Sequence, residues 1–100
     1  MPTAYITAPS TAASEIATAL VEERLAACVN RFECRSVYRW EGETVHEDEV
    51  VLLAKTTDEQ YDDLKARVVA LHPHDVPCVE RFDETDVFEA FGEWIETSVG

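Results

Sequence analysis

The chain predicts an α+β fold of the ferredoxin-like kind, βαββαβ followed by an extra C-terminal helix, and three observations lead to it. Strand-like and helix-like stretches follow one another as strand, helix, strand, strand, helix, strand, helix, the split βαβ order in which an antiparallel sheet carries both main helices on one face. The stretch from Tyr38 to Thr56 reads as part of a long β-hairpin turning at Glu41-Gly42. In its second arm, Val50-Val51-Leu52-Leu53-Ala54 is an unbroken apolar run ending at Lys55, where a strand covered on one face only would alternate apolar with polar residues. That strand is expected to be buried on both faces. A chain of 100 residues has helix enough for one layer, so the second face calls for another copy of the protein.

Ala4 to Ala8 is the first strand, ended by Pro9, and Ser10 or Thr11 offers an N-cap hydroxyl to a first helix expected to run to about Ala27. Ile16 and Leu20 sit one turn apart with Ala13 and Ala17 beside them, a narrow apolar stripe suited to close approach on a sheet. Val29 to Trp40 is the second strand and Val45 to Thr56 the third. Arms of this length reach roughly 35 to 40 Å at about 3.3 Å per residue, farther than the helices can cover. Thr57-Asp58-Glu59-Gln60 has the pattern of a capping box opening a second helix, with Tyr61, Leu64, Val68 and Leu71 as its core face. It stops at His72 because Pro73 disfavours helical geometry in the residue before it. Val76 to Phe82 is the fourth strand, with Pro77 marking an edge or a bulge. Asp86 with Glu89 would cap the final helix, whose Phe88, Phe91 and Ile95 share a face with Trp94 nearby.

One hundred residues make a single domain, 1–100, able to bury a core without disulfides or a structural metal. The start has no signal-like run and no window approaches a membrane span, so a cytoplasmic protein with no membrane partner is expected. Cys28, Cys34 and Cys78 cannot all pair within one chain and none has CxxC or zinc-finger spacing, which suits reduced thiols. The net charge of −13, from 21 Asp plus Glu against 8 Lys plus Arg, repels a phosphate backbone and argues against nucleic acid. The acids lie in every segment, either a solvation layer of the kind a salt-loving protein carries or a cation-binding surface. Nothing suggests an enzyme: there is no glycine-rich phosphate loop, nucleophile elbow or HExxH.

Two groups of residues carry candidate chemistry. His72, His74 and Asp75, with Cys78 close in sequence, place two imidazoles, a carboxylate and a thiol where copper, nickel or zinc would find ligands. The competing use of His72 is as a helix cap bonded to backbone carbonyls. His46-Glu47-Asp48-Glu49 could hold a hard cation, or be a solvated strand end. Lys55 follows the buried run and needs an acidic partner or an anionic ligand. With Tyr38, Arg39, Trp40, Glu49 and His72 it would line a cleft between subunits, holding either a ligand or an ion pair.

Several stretches taken together resemble the CutA divalent-cation-tolerance family. They are Glu23-Arg24-Leu25-Ala26-Ala27-Cys28-Val29-Asn30, Tyr38-Arg39-Trp40-Glu41-Gly42, Glu49 with Leu52-Leu53 and Lys55-Thr56, His72-Pro73 with Val76-Pro77, and Trp94-Ile95. The resemblance implies a ferredoxin-like subunit in a tight homotrimer, with long hairpins pairing between neighbours and an architecture related to the PII signalling proteins. It also implies a protein of metal tolerance that binds divalent cations such as copper or zinc. The alternative is a PII-like sensor holding a small anionic ligand in the inter-subunit cleft, and a third is a structural or anchoring trimer. The chain departs from the family pattern after His72-Pro73, where His74-Asp75-Val76-Pro77-Cys78 replaces the usual Tyr-Glu-Val-Pro-Glu. Where some members carry a cysteine and a second histidine associated with copper, this chain has Thr7 and Leu71.

Overall fold

The computed structural model describes residues 1–100. Its elements are β1 (Pro2–Ala8), α1 (Ser10–Glu22), β2 (Cys28–Trp40), β3 (Glu43–Lys55), α2 (Asp58–Leu71), β4 (Cys78–Asp83) and α3 (Glu89–Ser98). The four strands form one sheet in the order β2-β3-β1-β4, and every adjacent pair is antiparallel. This is the ferredoxin-like order with the extra helix the sequence predicts. β3 lies between β2 and β1, with Val50, Leu52 and Ala54 of its apolar run on the helix side and Val51 and Leu53 on the other face.

Side chains alternate across a strand, so the register sorts the sheet into two faces. Ala4, Ile6 and Ala8 of β1 and Val50, Leu52 and Ala54 of β3 meet Ala13, Ile16, Ala17 and Leu20 of α1 and Tyr61, Leu64 and Val68 of α2 in one core. Each predicted core position on α1 is buried, and on α2 only Leu71 stays partly exposed. The opposite face carries Tyr5, Phe32, Val51, Leu53 and Phe82; α1 and α2 pack on the other side, and although Val51 is buried, Phe32 and Phe82 remain half exposed.

Several boundaries and caps differ from expectation. The first helix ends at Glu22 rather than near Ala27, because Arg24 takes a left-handed conformation (φ 61°) and the amides of Leu25 and Ala26 both donate to the Leu20 carbonyl. Arg24 is held there by bonds from its side chain to the carbonyls of Thr97 and Gly100. Pro9, not Ser10 or Thr11, occupies the N-cap of α1, so neither hydroxyl is placed to cap. The capping box at Thr57 does not form: the Thr57 side chain is buried and makes no cap bond. In the final helix Phe88 rather than Asp86 is the N-cap, and of the predicted face only Ile95 is buried, with Phe88, Phe91 and Trp94 exposed. The fourth strand starts at Cys78, just after Pro77, and lies at the sheet edge. Arg81 ties it to α2 by bonding Asp83 and Asp58, and holds the Asp83 carboxyl below its usual range.

The hairpin turn is a two-residue loop between the paired Trp40 and Glu43, with positive φ at Glu41 (50°) and Gly42 (82°). These signs define the type I′ turn that matches strand twist. A methyl group on Gly42 would meet no atom within 4 Å, so Gly42→Ala tests backbone conformation alone. It is expected to cost about 1 to 2 kcal/mol, the left-handed penalty for an L-residue. Urea unfolding measures it; an unchanged midpoint would show that the arm tip contributes no stability.

Candidate functional site

Strand alternation and one loop build the site. Glu47 and Glu49 stand two residues apart on β3, opposite Ser36 and Cys34 of β2, and therefore project from the same, helix-free face. The same alternation sends His46 and Asp48 to the other face. The acidic tetrad read from sequence is thus divided, and Asp48 instead makes an exposed ion pair with Arg35 at 3.7 Å.

The loop between α2 and β4 brings His74 over this face. Its anchor is His72, whose Nε2–H donates to the Thr7 carbonyl (2.7 Å) while Nδ1 accepts from the His74 amide (3.1 Å). Both ring nitrogens are engaged, so of the two uses of His72 the structure shows the one that fastens backbone. The ring lies against His74, centroids 4.8 Å apart. His74 then points Nε2 to within 3.7 Å of Glu47 Oε2. Ligand atoms of Glu47, Glu49 and His74 all lie within 4.8 Å of one another. Tyr38 Oη donates to Glu47 Oε1 at 2.7 Å, and that bond, more than burial or the charges of Glu47 and Glu49, raises the Tyr38 hydroxyl above its ordinary value.

Of the predicted metal set, His74 alone belongs to this group. Asp75 lies in a neighbouring cavity of about 330 Å³ with Tyr38, Trp40, Pro73, His74 and Val76. Cys78 faces Glu80, with its Sγ 3.9 Å from Glu80 Oε1. Glu47 and Glu49 were read from sequence in the His46-Glu47-Asp48-Glu49 group and not with His74; the alternation of β3 selects these two of the four, and the loop after α2 brings His74 to them.

Within one chain the predicted ligand cleft is divided. Lys55 sits at the far end of β3, where Nζ donates to Thr3 Oγ1 (3.1 Å) and Thr3 in turn bonds Glu84. Six residues of strand, roughly 20 Å, separate it from Glu49. It lines a different cavity, of about 250 Å³, with Glu84, Phe88, Phe91 and Ile95 among its walls. Arg39 is exposed and alternates to the face opposite Tyr38 and Trp40. The three thiols are free and half buried. Burial raises the Cys28 thiol, partly offset by Lys55. Burial, and then Cys78, Cys34, Glu80 and Glu49 around it, push the Tyr5 hydroxyl up.

Fold and site together define a ferredoxin-like α+β protein whose hairpin arm sets carboxylates against an imidazole, donors suited to divalent cations. The family model described as "CutA1 divalent ion tolerance protein" matches residues 3–98. The chain belongs to that family. The Divalent-cation tolerance protein CutA of Thermus thermophilus is 45% identical over 97 residues, covering 95% of this chain and 94% of that protein. Among solved structures, the chain is similar to the periplasmic divalent cation tolerance protein CutA from Archaeoglobus fulgidus, with TM-score 0.95, 35% identity and full coverage of both chains. It is equally similar in fold to the PII-like protein CutA from Nostoc sp. PCC 7120, with TM-score 0.96, 29% identity and coverage of 100% and 98%.

Proposed function

We propose that this divalent-cation tolerance protein acts by binding the cation itself, copper or zinc, as a homotrimer in the cytoplasm and without catalysis. One observation carries the reading: an imidazole and two carboxylates from separate elements converge on one face of the sheet. The trimer is supported by the uncovered apolar face, which a monomer would leave in water. Three unpaired thiols suit a reducing compartment. The acid surface serves solvation in salt on this reading, since most carboxylates lie outside the cluster.

Calorimetric titration of metal-free protein with Cu(II) and Zn(II), in dilute buffer and in molar salt, tests the proposal. Saturable binding that survives salt is expected, because a coordinate site is screened far less than a diffuse acidic surface. Uptake that vanishes in salt would overturn it. A PII-like sensor is the second reading, favoured by the cavity beside Trp40 and Tyr38. It requires Lys55→Ala to abolish binding of a small anion while metal uptake is unchanged, although Lys55 is remote from that cavity within a chain.

A further inference from the structure

We infer that Glu47, Glu49 and His74 are the protein donors of a single cation site, that Tyr38 positions it, and that it selects Zn(II), Ni(II) or Cu(II) over Mg(II) and Ca(II). This rests on the cation-binding reading above and names where and what the chain binds.

The spacing suits one ion. Donors about 2.0 to 2.2 Å from a tetrahedral zinc stand roughly 3.5 Å apart. His74 Nε2 and Glu47 Oε2 are already 3.7 Å apart, and the third donor lies within 4.8 Å of both. A small rotation of one carboxylate closes the set.

Glu49 supplies an independent indication. It is only 6% exposed, yet its carboxylate makes no hydrogen bond and no ion pair within the chain, and it points into the cluster. A carboxylate with so little access to water is stabilised by a counter-charge or donors. Lys55 is occupied at the other end of the strand, and Arg35 pairs with Asp48. Within the chain the imidazole of His74 stands beside both Glu49 and Glu47; a divalent ion between them would answer all three side chains at once.

Two neighbours hold the donors. Tyr38 takes Oε1 of Glu47 and leaves Oε2 turned toward His74, so one oxygen of that carboxylate is presented for coordination. His72, locked at both nitrogens, fixes the loop backbone at His74 and packs against its ring. Such outer contacts orient ligands and are usually worth about 10 to 100-fold in metal affinity.

The donor set chooses the class of metal. Calcium takes six to eight oxygens and magnesium prefers oxygen octahedra rich in water, whereas one imidazole with two carboxylates suits borderline cations. No thiol enters the group, which sets aside Cu(I). Within one chain His74 and Glu47 are half buried and His74 also lines the cavity with Trp40, so the remaining positions open toward that cavity.

The experiment is calorimetry of the metal-free full-length protein in molar salt with Zn(II) and with Mg(II), for wild type and for His74→Tyr, Glu49→Gln, Glu47→Gln and Tyr38→Phe. Asp75→Asn and Glu80→Gln serve as acidic controls. Zinc is expected to bind once per chain and more tightly than magnesium. Affinity should fall by about tenfold or more in the three donor variants and by about tenfold in Tyr38→Phe, with the controls unchanged. Electron paramagnetic resonance of Cu(II)-loaded wild type gives a readout independent of whether any variant folds: it should show nitrogen coupling from one imidazole. Tyr38→Phe should keep that coupling, since it removes an orienting bond and no donor. Zinc binding indifferent to all four substitutions, or a Cu(II) spectrum without imidazole nitrogen, would overturn this site and leave cation binding as a function intact. Magnesium bound as tightly as zinc would overturn the metal class. No saturable uptake of either metal would overturn the cation-binding reading and this inference with it.

Discussion

Leu53→Asp is expected to dissociate the proposed trimer of 11.2 kDa chains into folded monomers. Leu53 lies on the helix-free face of the central strand, opposite Tyr5 of β1 and Asn30 of β2, among Phe32, Val51 and Phe82. In a single chain this side chain is partly exposed, so a carboxylate there can keep its water and the fold survives. Between packed sheets the same carboxylate would be stripped of water without a partner, at a cost of several kcal/mol per contact. Threefold repetition multiplies that cost. Sedimentation velocity on wild type and variant reads the result directly. A wild type that sediments as a monomer, or a variant that keeps the wild-type mass, would remove the interface from this face.

Leu52→Ala, one residue earlier and on the other face, is expected to lower folding stability by about 2 to 5 kcal/mol. Leu52 is fully buried, paired with Ile6 and Arg31 in the ladder, and belongs to the cluster built on Ile16, Leu20 and Leu64. The strand is held on both sides by other strands, so its backbone cannot sink to fill the void, which puts the loss toward the upper part of the range. Denaturant unfolding should be run in the Leu53→Asp background, where assembly does not make stability depend on concentration. A loss below about 1 kcal/mol would mean that the helices collapse onto the sheet and that this core is loosely packed. Together the two neighbours separate assembly from folding.

Much of the fold was legible. The stripe of α1 and the period of α2 appear in the core as read, because helical periodicity reports burial directly. The turn at Glu41-Gly42 was legible because Gly42 is suited to positive φ there. Helix ends were less so. Leu25 to Val29 is apolar for its role in entering β2, and nothing local distinguishes that from another helical turn; the decision lies with Arg24 and its bonds to the C-terminal residues. The caps at Thr57 and Asp86 failed for a related reason, since a capping motif competes with burial and with tertiary partners for the same side chains.

The site was legible only in part. His74, Glu47 and Glu49 all stood out as candidates, yet in separate groups: His74 with the borderline-metal set, the two carboxylates with a hard-cation group, and Glu49 also with the ligand cleft. Lys55 and Trp40 were joined by the expectation of a cleft between copies, while β3 sets Lys55 and the arm tip at opposite ends of a 13-residue strand.

By itself the sequence determined the class of fold, the hairpin of β2 and β3, the core faces of α1 and α2 and the membership of a cation-tolerance family. These follow from local periodicity and from short motifs whose geometry travels with them. Tertiary structure alone decided which donors meet. Strand alternation divided His46-Glu47-Asp48-Glu49 between two faces, and a loop more than twenty residues downstream delivered His74 to one of them. His72 was committed to the Thr7 carbonyl in the same step. Ligand convergence is a long-range property, and spacing along a chain does not record it.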